Sequence, residues 1–161
     1  MLLPPIPFGK WKIVESCNDI TVKNYLENSN IFIMRSQGDY DAGGTSMKPN
    51  WSIMMLHSQY IYYHTGRAGV DMSNCDVAAF VGCFTANHPT NSLPQAAVNA
   101  GASCAIGFET TIRCSQANAW TEFFAAYHCS GDSPEDAAHH AVNRVGRNSS
   151  VASMVVITSN N

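Results

Sequence analysis

The chain has 161 residues, of which 45% are hydrophobic and 13% charged, with 9 Lys and Arg against 12 Asp and Glu. That length suits one core of the common ~100–150-residue size, and the composition suits a packed domain rather than a solvated tail. A net charge of -3 without any Lys/Arg cluster leaves nothing to release counterions from a phosphate backbone, so nucleic acid is not an expected partner.

The segment Met1 to Lys10 is apolar but broken by Pro4, Pro5 and Pro7 and has no leading basic stretch, a poor match to a secretory signal. Residues 1–29 are expected as a loose extension, or a remnant of first strand–helix units, ahead of a domain over 30–161, with Trp11–Val14 strand-like and Thr21–Glu27 a helical turn. Five apolar or β-branched runs predict strands: Ile31–Arg35, Tyr60–His64, Val77–Cys83, Ser103–Phe108 and Ala152–Thr158. The third and fourth are continuous rather than alternating, which places them centrally, with helices on both faces. Gly38–Pro49, rich in Asp and Gly, reads as a flexible loop.

Leu93–Gly101 predicts a short helix with Pro94 near its start and Gly101 as its stop. Helix 115–129 follows, with Ala117, Trp120, Phe124 and Tyr127 forming a stripe to lie on the sheet. Ser133, Pro134 and Asp136 make an N-cap, a first-turn proline and an acid at the third position, opening a helix to about Val145. Strand–helix alternation of this kind argues for an α/β domain with a mainly parallel sheet. The apolar runs Val77–Phe80 and Met154–Ile157 are far shorter than the ~20 residues of a membrane span, so no membrane association is expected.

Six cysteines, Cys17, Cys75, Cys83, Cys104, Cys114 and Cys129, form no C-x-x-C motif and suggest no metal site; no cofactor is called for. Free, mostly buried thiols in a reducing, cytoplasmic setting are the expectation.

Ligands of open α/β sheets bind beyond the carboxyl ends of the strands. Two such ends carry small polar residues: Arg35–Gly38 after Ile31–Met34, and Gly82–Asn87 after Val77–Val81. Cys83, at the end of a central strand and followed by Thr85, Asn87 and a helix, is placed where a nucleophile meets substrate. An arbitrary cysteine is far more often a buried thiol than a nucleophile.

From Ile31 to the end, about 130 of the 161 residues, the chain resembles the caspase-like cysteine peptidases, in particular the bacterial branch with the CHAT domains and the clostripain- and gingipain-like enzymes. In that family a hydrophobic strand ends in Ser-His-Gly, and a later one ends in a small residue before the catalytic Cys. Here Ile31–Gly38, ending Ser36-Gln37-Gly38, resembles the first and Asp76–Cys83 the second. Position 37 stands 46 residues before Cys83, near the about 50 that separate His and Cys in caspases.

The resemblance implies a three-layer α/β/α sandwich with a shortened N-terminal part, Cys83 as nucleophile, and the N–H groups of Gly38 and Cys83 as an oxyanion hole. It implies a peptide or protein as substrate or partner. The family also carries more strand–helix structure before its histidine strand than 30 residues hold, so a partner chain or a second copy is expected along a sheet edge.

The departure is Gln37. An amide neither takes up nor releases a proton near neutral pH, so base catalysis from that position is lost, typically a factor of ~10²–10⁴. His64, ending the Tyr60–His64 run, and His88, five residues after Cys83, are the alternative bases. The other histidines have no partner pattern. Glu109, in the loop after Ser103–Phe108, is a candidate for the substrate pocket, where it would favour Arg or Lys by charge, against the commoner role of a solvated loop residue. Three functions follow: a catalytically impaired peptidase, an active one with a replacement base, and a non-enzymatic peptide- or protein-binding module.

Overall fold

A computed structural model describes residues 19–42, 44–48, 56–57 and 70–159. In chain order these form α1 (Asp19–Asn28), β1 (Ile31–Arg35), β2 (Gln37–Asp41), β3 (Gly44–Lys48), β4 (Leu56–His57), β5 (Val77–Val81), α2 (Leu93–Asn99), β6 (Cys104–Phe108), α3 (Cys114–Cys129), α4 (Pro134–Val145), a 3-10 turn (Ser150–Ser153) and β7 (Met154–Thr158). The strand-like runs Trp11–Val14 and Tyr60–His64 lie outside the described residues.

The main sheet runs β1-β5-β6-β7. β1, β5 and β6 are parallel, in the register Arg35 opposite Val81 and Ala79 opposite Ile106. All five residues of β5 and of β6 are buried, as their unbroken apolar sequence requires of strands covered on both faces. One face carries Phe32, Met34, Ala78 and Phe80 against Leu26 of α1 and Leu93, Ala96 and Ala97 of α2. The other carries Val77, Ala79, Val81 and Ile106 against Ala117, Trp120 and Phe124 of α3 and Ala137, Ala138 and Ala141 of α4. The protein is thus mixed α/β with a mainly parallel sheet between helices. Among the described residues no helix is long and apolar enough to cross a membrane.

β7 departs from the parallel pattern and runs antiparallel to β6, with Phe108 opposite Met154 and Cys104 opposite Thr158. One crossover helix reverses the chain, whereas two restore its direction. α3 and α4 pack as an antiparallel pair, with Arg144 over the Phe123 ring at 5.5 Å and the rings of Tyr127 and His140 5.3 Å apart. The chain therefore re-enters the sheet at the carboxyl end of β6 and must run back.

The helix starts follow their local chemistry. Ser92 Oγ accepts the Gln95 N–H at 3.3 Å, with Pro94 in the first turn of α2. Ser133 Oγ accepts the Asp136 N–H at 3.1 Å and donates to Asp136 Oδ2 at 2.7 Å, a reciprocal cap on an end with Pro134 already in place. One expectation is corrected. Within Gly38–Pro49, residues 38–41 and 44–48 are not a flexible loop: β2 and β3 pair as a hairpin closing at Asp41 opposite Gly44. Of the Asp and Gly that suggested a loop, Asp41 and Gly44 close the hairpin and Gly38 and Asp39 lie within β2, while Met47, buried completely, anchors the hairpin to the core. The stretch expected as a loose extension ends in a ten-residue helix whose Leu26 is fully buried.

Candidate functional site at the Cys83 corner

Only Ser36 separates β1 from the β2–β3 hairpin, and its N–H donates to the Val81 carbonyl at 3.3 Å. The β1/β5 ladder thus holds up to the strand tips, where Arg35 stands opposite Val81. The hairpin rests directly on the turn after β5. A Cβ built on Gly38 would fall 2.0 Å from the Cys83 carbonyl oxygen, and one on Gly82 2.6 Å from the Ser36 oxygen. Glycine at both positions is what lets the two backbones touch.

Gly38 pairs with Met47. The pair closing a hairpin is hydrogen-bonded and opposite residues alternate thereafter, so the Gly38 N–H faces away from β3. Thr45, opposite Tyr40, obeys the same alternation and donates its N–H outward to the Asn91 carbonyl at 3.2 Å.

The Cys83 side chain is half-buried and follows the alternation of Val77, Ala79 and Val81 onto the α3/α4 face. Its Sγ accepts the Ile112 N–H at 3.4 Å and donates to the Ile112 carbonyl at 3.7 Å. The loop 109–113 folds over the corner, and its Thr110 carbonyl accepts the Phe84 N–H at 3.2 Å. Phe84 itself has φ 59, the one non-glycine residue with positive φ among the described residues.

The other cysteines differ. Cys75 and Cys104 are buried, and that burial pushes each thiol up to about 11, with Asp76 adding to it at Cys75 and Glu135 at Cys104. Cys114 and Cys129 are exposed, and all five described cysteines are free. No family model and no curated protein matches this chain.

Of the residues singled out in the sequence, the fold brings together Cys83, Gln37 and Gly38. Gln37 is exposed. His88 closes the turn before α2, where its Nδ1 accepts the N–H of Asn91 at 3.0 Å and of Thr90 at 3.4 Å. His64 lies outside the described residues. Glu109 is exposed at the start of the loop that covers Cys83, its N–H donating to the Ser153 carbonyl at 3.0 Å. Among the described residues no group of three His, Cys, Asp or Glu is placed to hold a metal.

Elsewhere, two histidines without a partner pattern in the sequence have one in space. His140 Nδ1 pairs with Asp132 Oδ2 at 2.7 Å, and His128 Nδ1 meets the Asp132 carbonyl at 3.0 Å. The α3–α4 turn folds Asp132 between them.

Three participants at the corner carry no signal that the sequence made visible. Ile112 meets the sulfur through its backbone, which leaves no trace in residue type. Tyr40, 49% exposed, sets its ring against that of Phe84 at 5.0 Å, and it lies in the stretch whose composition reads as a loop. Thr45 lies there too, and its hydroxyl reaches the Thr85 carbonyl at 2.6 Å.

Proposed function

We propose that the chain is a caspase-like cysteine-peptidase-related domain, with Cys83 in the nucleophile's place and Gln37 in that of the general base, and therefore catalytically impaired. One observation carries the reading: β1 and β5 are adjacent and parallel, and the Ser36–Gly38 corner meets the Cys83 turn at their carboxyl ends. Acyl transfer at such a corner needs a thiolate, a donor for the developing oxyanion and a proton acceptor. A peptide carbonyl laid between the Gly38 and Cys83 N–H groups would meet the sulfur. The Gln37 amide has no means of taking the thiol proton and serves only to hydrogen-bond the peptide.

His88, the alternative base, already commits Nδ1 to the turn before α2. A second reading, a non-enzymatic module that holds a peptide, is favoured by the half-exposed Tyr40 beside the Cys83 turn. A partner strand or a second copy along the outer edge of β1 or β7 belongs to either reading, and free thiols fit a reducing, cytoplasmic compartment.

The test is covalent labelling by a peptidyl acyloxymethyl ketone in the native chain, Cys83→Ala and Gln37→His. The impaired-peptidase reading expects slow labelling confined to Cys83 and faster labelling in Gln37→His. Labelling of the native chain as fast as in Gln37→His would mean that a replacement base is at work. No preference for Cys83 over Cys114, together with peptide binding that survives in Cys83→Ala, would leave the binding module.

A further inference from the structure

We propose that Thr85, backed by Thr45, is the positioning residue of the Cys83 corner: it enforces the left-handed backbone at Phe84 and so holds Cys83 in register with Gly38. This rests on the reading of Cys83 as the nucleophile's position.

A non-glycine residue at φ 59 persists only where its surroundings over-determine it. Those surroundings converge on the next residue. Thr85 is completely buried. Its Oγ1 donates to the Phe80 carbonyl at 2.8 Å, with that of Gly82 at 3.2 Å, and accepts the Phe108 N–H at 3.0 Å. One hydroxyl therefore ties the carboxyl end of β5 to that of β6, on either side of the turn that presents Cys83.

The Thr85 carbonyl accepts the Thr45 hydroxyl at 2.6 Å and the Leu93 N–H at 3.3 Å, while Thr45 Oγ1 accepts that same N–H at 2.8 Å. Thr45 is buried as completely as Thr85, and it belongs to the hairpin that carries Gln37 and Gly38. The two hydroxyls thus join the three pieces that must agree for the corner to work: the Cys83 turn, the hairpin and the start of α2. Valine would fill the same space in this core. What the hydroxyl adds is direction, and its loss leaves the Phe108 N–H buried without an acceptor.

The experiment compares Thr85→Val, Thr85→Ser, Thr45→Val and Thr85→Val in a Phe84→Gly background by two readouts. The first is hydrogen exchange of the Phe84 amide, which reports the corner whatever its function. The second is the rate of Cys83 alkylation by a peptidyl acyloxymethyl ketone divided by that for iodoacetamide. Thr85→Val and Thr45→Val are expected to speed the exchange and to lower the ratio on the order of tenfold to a hundredfold, the cost of misplacing a reacting group. Thr85→Ser should behave as the native chain. With Gly at 84, where the left-handed backbone carries no penalty, Thr85→Val should lower the ratio much less.

The proposal is overturned if Thr85→Val melts as the native chain does and keeps both exchange and ratio, if Thr85→Ser fails as badly as Thr85→Val, or if Phe84→Gly leaves the loss unchanged. Should Thr85→Val not fold, Thr45→Val carries the comparison, and unchanged exchange and ratio in it overturn the proposal. A native ratio no higher at Cys83 than at Cys114 would sink the nucleophile reading, and Phe84 exchange would then decide the positioning role alone.

Discussion

The carbonyl oxygen of Cys83 fills the space that a side chain on Gly38 needs: a Cβ there would stand 2.0 Å from it, and 3.0 Å from the carbonyl carbon and amide nitrogen of the same residue. All three obstacles are backbone atoms, which cannot rotate aside as a side chain can. Gly38→Ala must therefore part the hairpin from the turn after β5. Overpacking of this kind costs about 1–3 kcal/mol. Urea unfolding should show that loss, and peptide-directed labelling of Cys83 should fall with it. An alanine variant with native stability would mean that the two backbones do not meet in solution.

Thiol chemistry separates the cysteines by burial. In the folded chain Cys83, Cys114 and Cys129 should react with iodoacetamide, and Cys75 and Cys104 only on unfolding, as peptide mapping will read. Burial pushes the latter two up to about 11 from an ordinary 9.0. The folded state thus holds their protons to higher pH than the unfolded state does. This contribution is complete below about pH 9 and is lost as pH climbs towards about 11, by about 2–3 kcal/mol per thiol. Replacing both by Ala should flatten the alkaline arm of the stability profile.

Much of this architecture is legible in residue order. Strands buried on both faces show as the unbroken runs of β5 and β6, and capping chemistry fixes the starts of α2 and α4. The hairpin was not legible, because its turn residues outnumber its apolar ones and Met47 is its one fully buried apolar side chain among the described residues. The direction of β7 was within reach of the sequence, which predicts two helices ahead of it. Strand and helix patterns carry no sign, and only the count of intervening helices sets which way the chain returns. At the corner, Cys83 and the Gln37-Gly38 pair were visible as residue types at strand ends. The contacts of Ile112 and the conformation of Phe84 are backbone properties, and no side-chain pattern encodes them.

Trp120 should matter for stability and not for the corner. It is fully buried, stacked on Phe124 at 5.1 Å and edge-on to Phe108 at 5.3 Å, and its Nε1 donates to the Ala138 carbonyl at 3.3 Å. Trp120→Ala removes the packing that joins α3 to β6 and α4, an expected cost of about 3–5 kcal/mol. Trp120→Phe keeps most of the packing and removes one hydrogen bond to a carbonyl that α4 already pairs within the helix, for about 0.5–1.5 kcal/mol. Denaturation midpoints will read both, and in the folded fraction the Cys83 labelling ratio should stay native.

Gln37→His tests the relation between the two strand tips. The backbone contact of Gly38 with Cys83 puts the neighbouring residue 37 beside that turn and keeps the tips together. An imidazole there brings a proton acceptor to a thiol whose sulfur hydrogen-bonds the Ile112 backbone. Since a free imidazole titrates near about 6.5, the rate of peptide-directed labelling should gain a step that rises with pH through that region. Positioned bases are worth ~10²–10⁴ in rate, and one introduced without its own orienting partner should reach the lower end of that range. Gln37→Ala, which removes the amide without supplying a base, should show no such step. Identical pH profiles for the His and Ala variants between about pH 5 and 8 would mean that position 37 does not address the sulfur, since a base within reach cannot leave the profile unchanged.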